Sequence, residues 1–226
     1  MRSTQRAGGG IRRLSLFPCE RNAGPEFMHV VGILGGVASG KSLVARYLEQ
    51  QGAGLLDADR AGHEVLRKPK IREAARARWG DAIFDQEGQI DRERLAEIVF
   101  AAPPEGPRER TFLEQLTHPE IGRLLEQQAA RMAADGCQVA VLDAPLLLEA
   151  GWDRFCDTLV MVDTPREQRL ERARKRGWSE EDFIAREGVQ ESLDSKRKRA
   201  DVVVDNSGSP EETQARLERF WHSLVG

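Results

Sequence analysis

From residue 28 onward, short uninterrupted apolar runs alternate with stretches whose apolar residues recur at helical spacing. The runs at 30–34, 54–59, 139–142, 159–162 and 202–204 are short and continuous, as strands buried on both faces of a parallel sheet are. After the first run, Leu43, Val44, Tyr47 and Leu48 fall on one face of a helix over 42–51, which Gly52 closes. Strand and helix in alternation predict an α/β fold, here a five-stranded parallel sheet with helices on both faces.

Two inserts interrupt the alternation. Between Asp59 and Cys137, helical periods at 71–79, 91–100, 108–116 and 120–132 surround a break at Pro103, Pro104 and Pro107. This stretch is too long for one crossover helix and reads as a helical subdomain. The second insert, residues 165–199, carries eleven Lys and Arg. Such charge runs commonly cover solvated helix faces, and Glu167, Glu171, Glu180 and Glu181 dilute this one. RNA binding is the functional alternative, although only Trp178 and Phe183 are available as stacking rings.

Composition narrows the class. With 40% hydrophobic and 31% charged residues and a mean hydropathy of -0.52, the chain can fill a core, and no run approaches the ~20 apolar residues of a membrane span. A net charge of -3 argues against a partner held by bulk charge, so neither nucleic acid nor membrane is expected. Cys19, Cys137 and Cys156 show no paired spacing, which argues against disulfides or zinc and for a reducing, cytoplasmic setting. Residues 1–27 differ from the rest: five arginines, two glutamates and a triple glycine, with no apolar segment or period. They are expected to be a disordered leader, with an Arg-rich transit peptide as the rival reading.

The strongest local signal is Gly35-Gly36-Val37-Ala38-Ser39-Gly40-Lys41-Ser42. It fits G-x-x-x-x-G-K-S/T with an apolar strand before it and an amphipathic helix after it. Such a loop turns successive N–H groups toward phosphate, its lysine reaches the β- and γ-oxygens and its Ser hydroxyl ligates Mg²⁺. The loop identifies a nucleotide, not a job. A GTPase would need an N-K-x-D guanine reader, and beyond residue 27 the sole Asn is Asn206, followed by Ser207 and Gly208. A small kinase with an acceptor-binding insert and a basic lid suits the length.

Asp57 and Asp59 close the second run, at the carboxyl edge of the sheet where ligands of such folds bind. If the strand reaches residue 59, both carboxylates lie on one side of it, and either could take a proton from an acceptor hydroxyl. Asp143 follows the third run as a metal-orienting acid would, and Pro145 to Leu148 reads as an apolar wall. His118 before Pro119 is either an acceptor contact or a residue capping a helix break. The four tryptophans read as packing residues.

With these residues in place, the chain from Met28 onward resembles the dephospho-CoA kinase family. The likeness rests on Gly32 to Gly36 leading into Ser39-Gly40-Lys41-Ser42, Leu56-Asp57-Ala58-Asp59, His118-Pro119 with Ile121, Asp143 to Glu149, Gln168 to Arg172, Gln190, and Ala200-Asp201 through Asn206-Ser207-Gly208. The resemblance implies transfer of the ATP γ-phosphate to the 3'-hydroxyl of dephospho-CoA, a helical acceptor-binding insert at about 60–132 and a lid at about 172–198; a monomer or weak homo-oligomer is expected. It implies Asp59 as base with Lys41 and Arg172 as catalytic partners, and Gly36, Ala38, Ser39, Gly40, Lys41, Ser42, Leu43, Arg172 and Asn206 around ATP. Asp57, Asp59, His118, Pro145 and Leu146 would meet the acceptor, with Mg²⁺ on Ser42. Three positions depart from the family pattern: Leu34, where many members have Thr, Ala38 in place of the usual Gly, and Leu43 in place of a frequent Thr. Another small-metabolite or nucleoside kinase, or a non-catalytic nucleotide-binding module, remains the alternative.

Overall fold

A computed structural model describes residues 28–226; the expected leader at 1–27, with Cys19, lies outside the described residues. Five strands, β1 (His29–Gly35), β2 (Gly54–Asp57), β3 (Val139–Asp143), β4 (Thr158–Asp163) and β5 (Val202–Asp205), form one sheet in the order β2, β3, β1, β4, β5. Every pairing is parallel, with Val30 opposite Ala140 and Val31 opposite Thr158. This is the predicted sheet, and β1 sits at its centre with sequentially later strands on both sides. That is the switch point at which open α/β sheets bind ligands.

Alternation along β1 divides the core between the two faces. Val30 and Leu34 join Leu142, Leu159 and Met161 against a helical layer that includes Ile121 and Leu125. Val31 and Ile33 join Val141, Val160 and Val162 against Val44 and Leu48 of α1 (Lys41–Gln50) and Leu217 and Phe220 of α9 (Pro210–Val225). The buried arc of α1 is Val44, Ala45 and Leu48, while Tyr47 is half-buried and Leu43 is 42% exposed. The expected apolar face is corrected at Leu43, which lies about 150° from the centre of that arc at 3.6 residues per turn.

The first insert holds α2 (Ala58–Leu66), α3 (Pro69–Trp79), α4 (Arg92–Val99) and the 30-residue α5 (Glu105–Ala134), about 45 Å long at 1.5 Å per residue. Two expectations fail here. The periods at 108–116 and 120–132 belong to one helix, which continues through Pro119. His118 therefore caps no break; burial of Thr117, Ile121, Gly122 and Leu125 holds both halves in line despite the missing proline N–H. The second run ends at Asp57 and not at Asp59, because the Asp57 side chain accepts from the Arg60 amide at 2.9 Å and caps α2. Asp59 is thus a helical residue, and the two carboxylates do not alternate along a strand. Ala75, Ile83, Phe84, Ile90, Leu95 and Val99 form a separate cluster in the insert.

After β4 come α6 (Arg166–Lys175), α7 (Glu180–Gly188) and α8 (Leu193–Arg199). Their small cluster, Leu170, Ala173 and Phe183, also takes in Val37 and Ala38 of the phosphate loop. Of the cysteines, Cys156 is buried and Cys137 half-buried. Trp152 is buried in the main core. No helix of the described residues is long and apolar enough to cross a membrane.

Candidate active site

The phosphate loop leaves the carboxyl end of β1 and feeds α1. Gly40 has φ +105°, and a Cβ there would stand 2.3 Å from the Asn206 amide nitrogen, so only glycine fits. At Gly36 a Cβ would lie 2.7 Å from the Arg169 guanidinium. Ala38, by contrast, bears a side chain at φ +57°, a conformation that costs an L-residue about 1–2 kcal/mol. Its methyl packs into the Leu170, Ala173 and Phe183 cluster, which offsets part of that cost.

One carbonyl pins the loop. Ser39 O accepts from Thr164 Oγ1 at 2.8 Å, Asn206 Nδ2 at 2.8 Å and Arg172 Nη1 at 3.1 Å. Asn206 is held in turn by Thr213 Oγ1, which donates to its Oδ1 at 3.0 Å, and Arg172 Nη2 donates to the Asn206 carbonyl at 2.9 Å. Beneath the loop, buried Arg169 donates to Thr164 O at 3.1 Å and Val37 O at 3.3 Å and pairs with Glu187 of α7 at 2.5 Å.

Lys41 Nζ donates to Gly35 O and Gly36 O, both at 3.2 Å. Burial, with the nearby Lys196 ammonium second, lowers its pKa to about 8. Facing it are two carboxylates. Asp143, which lies near the Ser42 side chain and beside Asp57 in the β2–β3 register, and Asp59 both have raised pKa values because burial disfavours their charge; Asp57 adds to the shift at Asp59.

Two cavities open on this point. A cleft of about 860 Å³ runs along residues 37–42, and an apolar chamber of about 420 Å³ adjoins it under the insert; both are lined by Asp59, Phe100, Pro145 and Leu146. His118 belongs to the chamber wall, its ring centroid 5.3 Å from that of Trp152, and burial lowers its pKa.

Of the residues singled out from sequence, the cleft gathers Ala38, Ser39, Gly40, Lys41, Ser42, Asp59, Pro145 and Leu146, and the chamber adds His118. Gly36 lies against Arg169, and Leu43 is exposed on α1. Asp57 caps α2, and Asn206 and Arg172 brace the loop from behind. Sequence reasoning missed Thr164, Arg169 and Thr213 in the brace, and Phe100 and Arg110 on the cleft wall. A proline one residue after Thr164, and the place of Arg169 next to Leu170 and four residues before Ala173, are weak signals that could have raised two of these.

A phosphate loop at the central strand, a carboxylate opposite its lysine and an apolar chamber beside both define a P-loop small-molecule kinase. A family model described as dephospho-CoA kinase matches residues 29–212. The dephospho-CoA kinase of Bacillus licheniformis is 38% identical over 194 residues, 84% of this chain and 94% of that protein. That of Aquifex aeolicus is 38% identical over 200 residues, 88% of this chain and 98% of its own. A crystal structure from Thermus thermophilus superposes with a TM-score of 0.74 at 33% identity, covering 88% of this chain and all 100% of that one. Dephospho-CoA kinase from Campylobacter jejuni shares the fold at 22% identity and a TM-score of 0.59, over 87% of this chain and 97% of its own. The chain belongs to the dephospho-CoA kinase family.

Proposed function

We infer that this protein moves the γ-phosphate of ATP to the 3'-hydroxyl of dephospho-CoA, giving CoA and ADP. Alongside family membership, one observation carries the site assignment: Asp59 lines both the phosphate-loop cleft and the apolar chamber, so a hydroxyl presented from the chamber meets the cleft there.

In this reading ATP occupies the loop, with the backbone amides of Gly36, Ala38, Ser39 and Gly40 on its phosphates and Leu43 at the start of α1. Lys41 leaves the Gly35 and Gly36 carbonyls for the β- and γ-oxygens. Asp59 accepts the proton of the 3'-hydroxyl as its oxygen bonds to the γ-phosphorus, and the bond from that phosphorus to the ADP oxygen breaks. From behind the loop, where it holds the Ser39 and Asn206 carbonyls, Arg172 adds positive charge toward the transferring group, and Asn206 keeps the loop in shape. Asp57 starts α2 so that Asp59 faces the acceptor, and His118, Pro145 and Leu146 line the acceptor's path. Ser42 and Asp143 would hold Mg²⁺, both being hard oxygen donors of the kind that ion takes. Mg²⁺ would neutralise charge between the β- and γ-phosphates. Residues at about 60–132 act as the acceptor domain and about 172–198 as a lid, in a cytoplasmic monomer or weak homo-oligomer.

The test is ADP release by purified protein with ATP, Mg²⁺ and dephospho-CoA, with the product checked by mass and by nuclease mapping for a 3'-phosphate. ADP release indifferent to dephospho-CoA would sink the reading.

A further inference from the structure

Ion pairing sorts the eleven basic side chains of residues 165–199. Seven are neutralised by carboxylates, among them Arg169 by Glu187, Lys196 by Glu149 and Arg199 by Asp153. Arg172 is committed to two backbone carbonyls behind the loop. Arg186 is different. Like Arg176 it lines the cleft without a carboxylate partner among the described residues, but Arg186 also stands on a ring, its guanidinium 4.2 Å from the centroid of Trp178. The nearby Asp182 carboxylate is engaged in capping α7 through Ser179.

The insert carries the counterpart. Arg110 of α5 lines the same cleft, also without a carboxylate partner, and stands 4.8 Å from the centroid of Phe100, an aromatic ring left 66% exposed. Its hydrogen bonds, to Val99 O, are long at 3.3 and 3.4 Å. A ring beneath a guanidinium occupies its face and orients it, while the in-plane N–H fork remains available to an anion. Two arginines prepared in this way, one on α7 and one on α5, offer two forks to an anion in the cleft they share.

We propose that Arg110 of α5 and Arg186 of α7 together clip the 5'-diphosphate of the acceptor in the cleft that both line. The inference rests on the reading of the site given above and specifies how the acceptor is chosen. ATP's phosphates already have the loop amides and Lys41. The second diphosphate in the reaction belongs to dephospho-CoA, between the ribose whose 3'-hydroxyl meets Asp59 and the pantetheine arm suited to the apolar chamber. Phe100, shared by cleft and chamber, stands where the charged and apolar parts of that acceptor divide. Bidentate recognition of phosphate by Arg supplies the specificity: a nucleoside without the diphosphate has the hydroxyl but not the handle.

Arg110→Met, Arg186→Met, the double variant and the two Lys variants test this in steady-state assays with dephospho-CoA. Companion measurements are the Kd of a non-hydrolysable ATP analogue and the inhibition constant of adenosine as a competitor of dephospho-CoA. The double Met variant should raise KM for dephospho-CoA on the order of 10²-fold, with kcat within a few-fold and both companion constants unchanged. Each Lys variant should recover only part of the loss, because charge returns without the planar fork. An unchanged KM, or a parallel loss of adenosine and ATP-analogue binding, overturns the clip while leaving the kinase reading intact. A parent protein without activity on dephospho-CoA overturns both.

Discussion

The Lys41 pKa is near 8, lowered first by burial and then by Lys196. Phosphate binds the charged ammonium and raises that pKa again, so ATP binding takes up a proton at alkaline pH. ATP affinity should therefore hold below pH 8 and fall above it, approaching tenfold per unit, and Lys41→Met should abolish the slope; titration calorimetry from pH 7 to 9.5 reads both. Lys41→Ala should lower kcat/KM by about 10² to 10³ with the fold intact by circular dichroism. The neighbouring acids separate on different grounds. Asp59→Asn should cost about 10² to 10⁴ in kcat, toward the lower end because a loose transition state needs little proton removal, with ATP affinity little changed. Asp57→Asn keeps a good helix cap and should be mild, whereas Asp57→Ala removes the bond to the Arg60 amide and should cost about 0.5–2 kcal/mol of stability by denaturant titration.

Elements place these side chains, and not all of them were equally visible in the sequence. The phosphate loop was legible because its chemistry is local: eight consecutive residues between a strand and a helix contain the turn, the lysine and the hydroxyl. The brace on Ser39 O was not, since Thr164, Arg172 and Asn206 reach it from more than 120 residues away with no shared pattern. Asp57 misled through a competition that single-strand alternation ignores, because an Asp three residues before a helical amide also reads as a cap. Phe100 ends α4 and Arg110 lies within α5, and no hydrophobic period marks an aromatic that stays exposed. Arg172→Lys should weaken ATP binding or kcat by at least tenfold, since an ammonium cannot serve both the Ser39 and Asn206 carbonyls as a fork does; unchanged kinetics would remove the brace from function. Farther out, Arg78 and then the Trp79 indole hold the Glu109 carboxyl at about 2 against an ordinary 4.5. A depressed carboxyl stabilises above its unfolded pKa and ceases to as pH falls through the folded one. Glu109→Gln should thus be less stable than the parent at pH 7, with the two stability curves converging between pH 4.5 and 2.

Across the whole molecule, the α/β class and strand number followed from five apolar runs, while the division of labour among the remaining helices did not. Ion pairs such as Arg169 with Glu187 and Lys196 with Glu149 are long-range, so the basic segment could not be sorted into scaffold and ligand groups by composition. The structure ties α7 to the loop twice, through the Arg169 to Glu187 pair and through the Val37, Ala38 and Phe183 contacts. Filling the cleft should accordingly slow amide exchange in α7 as well as in the loop. Hydrogen exchange with and without the ATP analogue and dephospho-CoA reads this, and protection confined to residues 36–43 would show the segment to be uncoupled.

The sheet order also governs how the chain must assemble. β1 pairs with β3 and β4, His29 meeting Val139 and Val31 meeting Thr158, so the central strand is among the earliest described segments to be synthesised and among the latest to be satisfied. At about 5–20 residues per second on a ribosome, it waits on the order of ten seconds for either neighbour while the insert, rich in local helical contacts, can already form. Every residue of β1 after His29 is buried in the finished protein, and during that interval it is a sticky, partnerless ribbon. Folding from denaturant should therefore be slow for a chain of this size, and the yield limited by concentration, because the strand that later presents ATP is first an aggregation hazard.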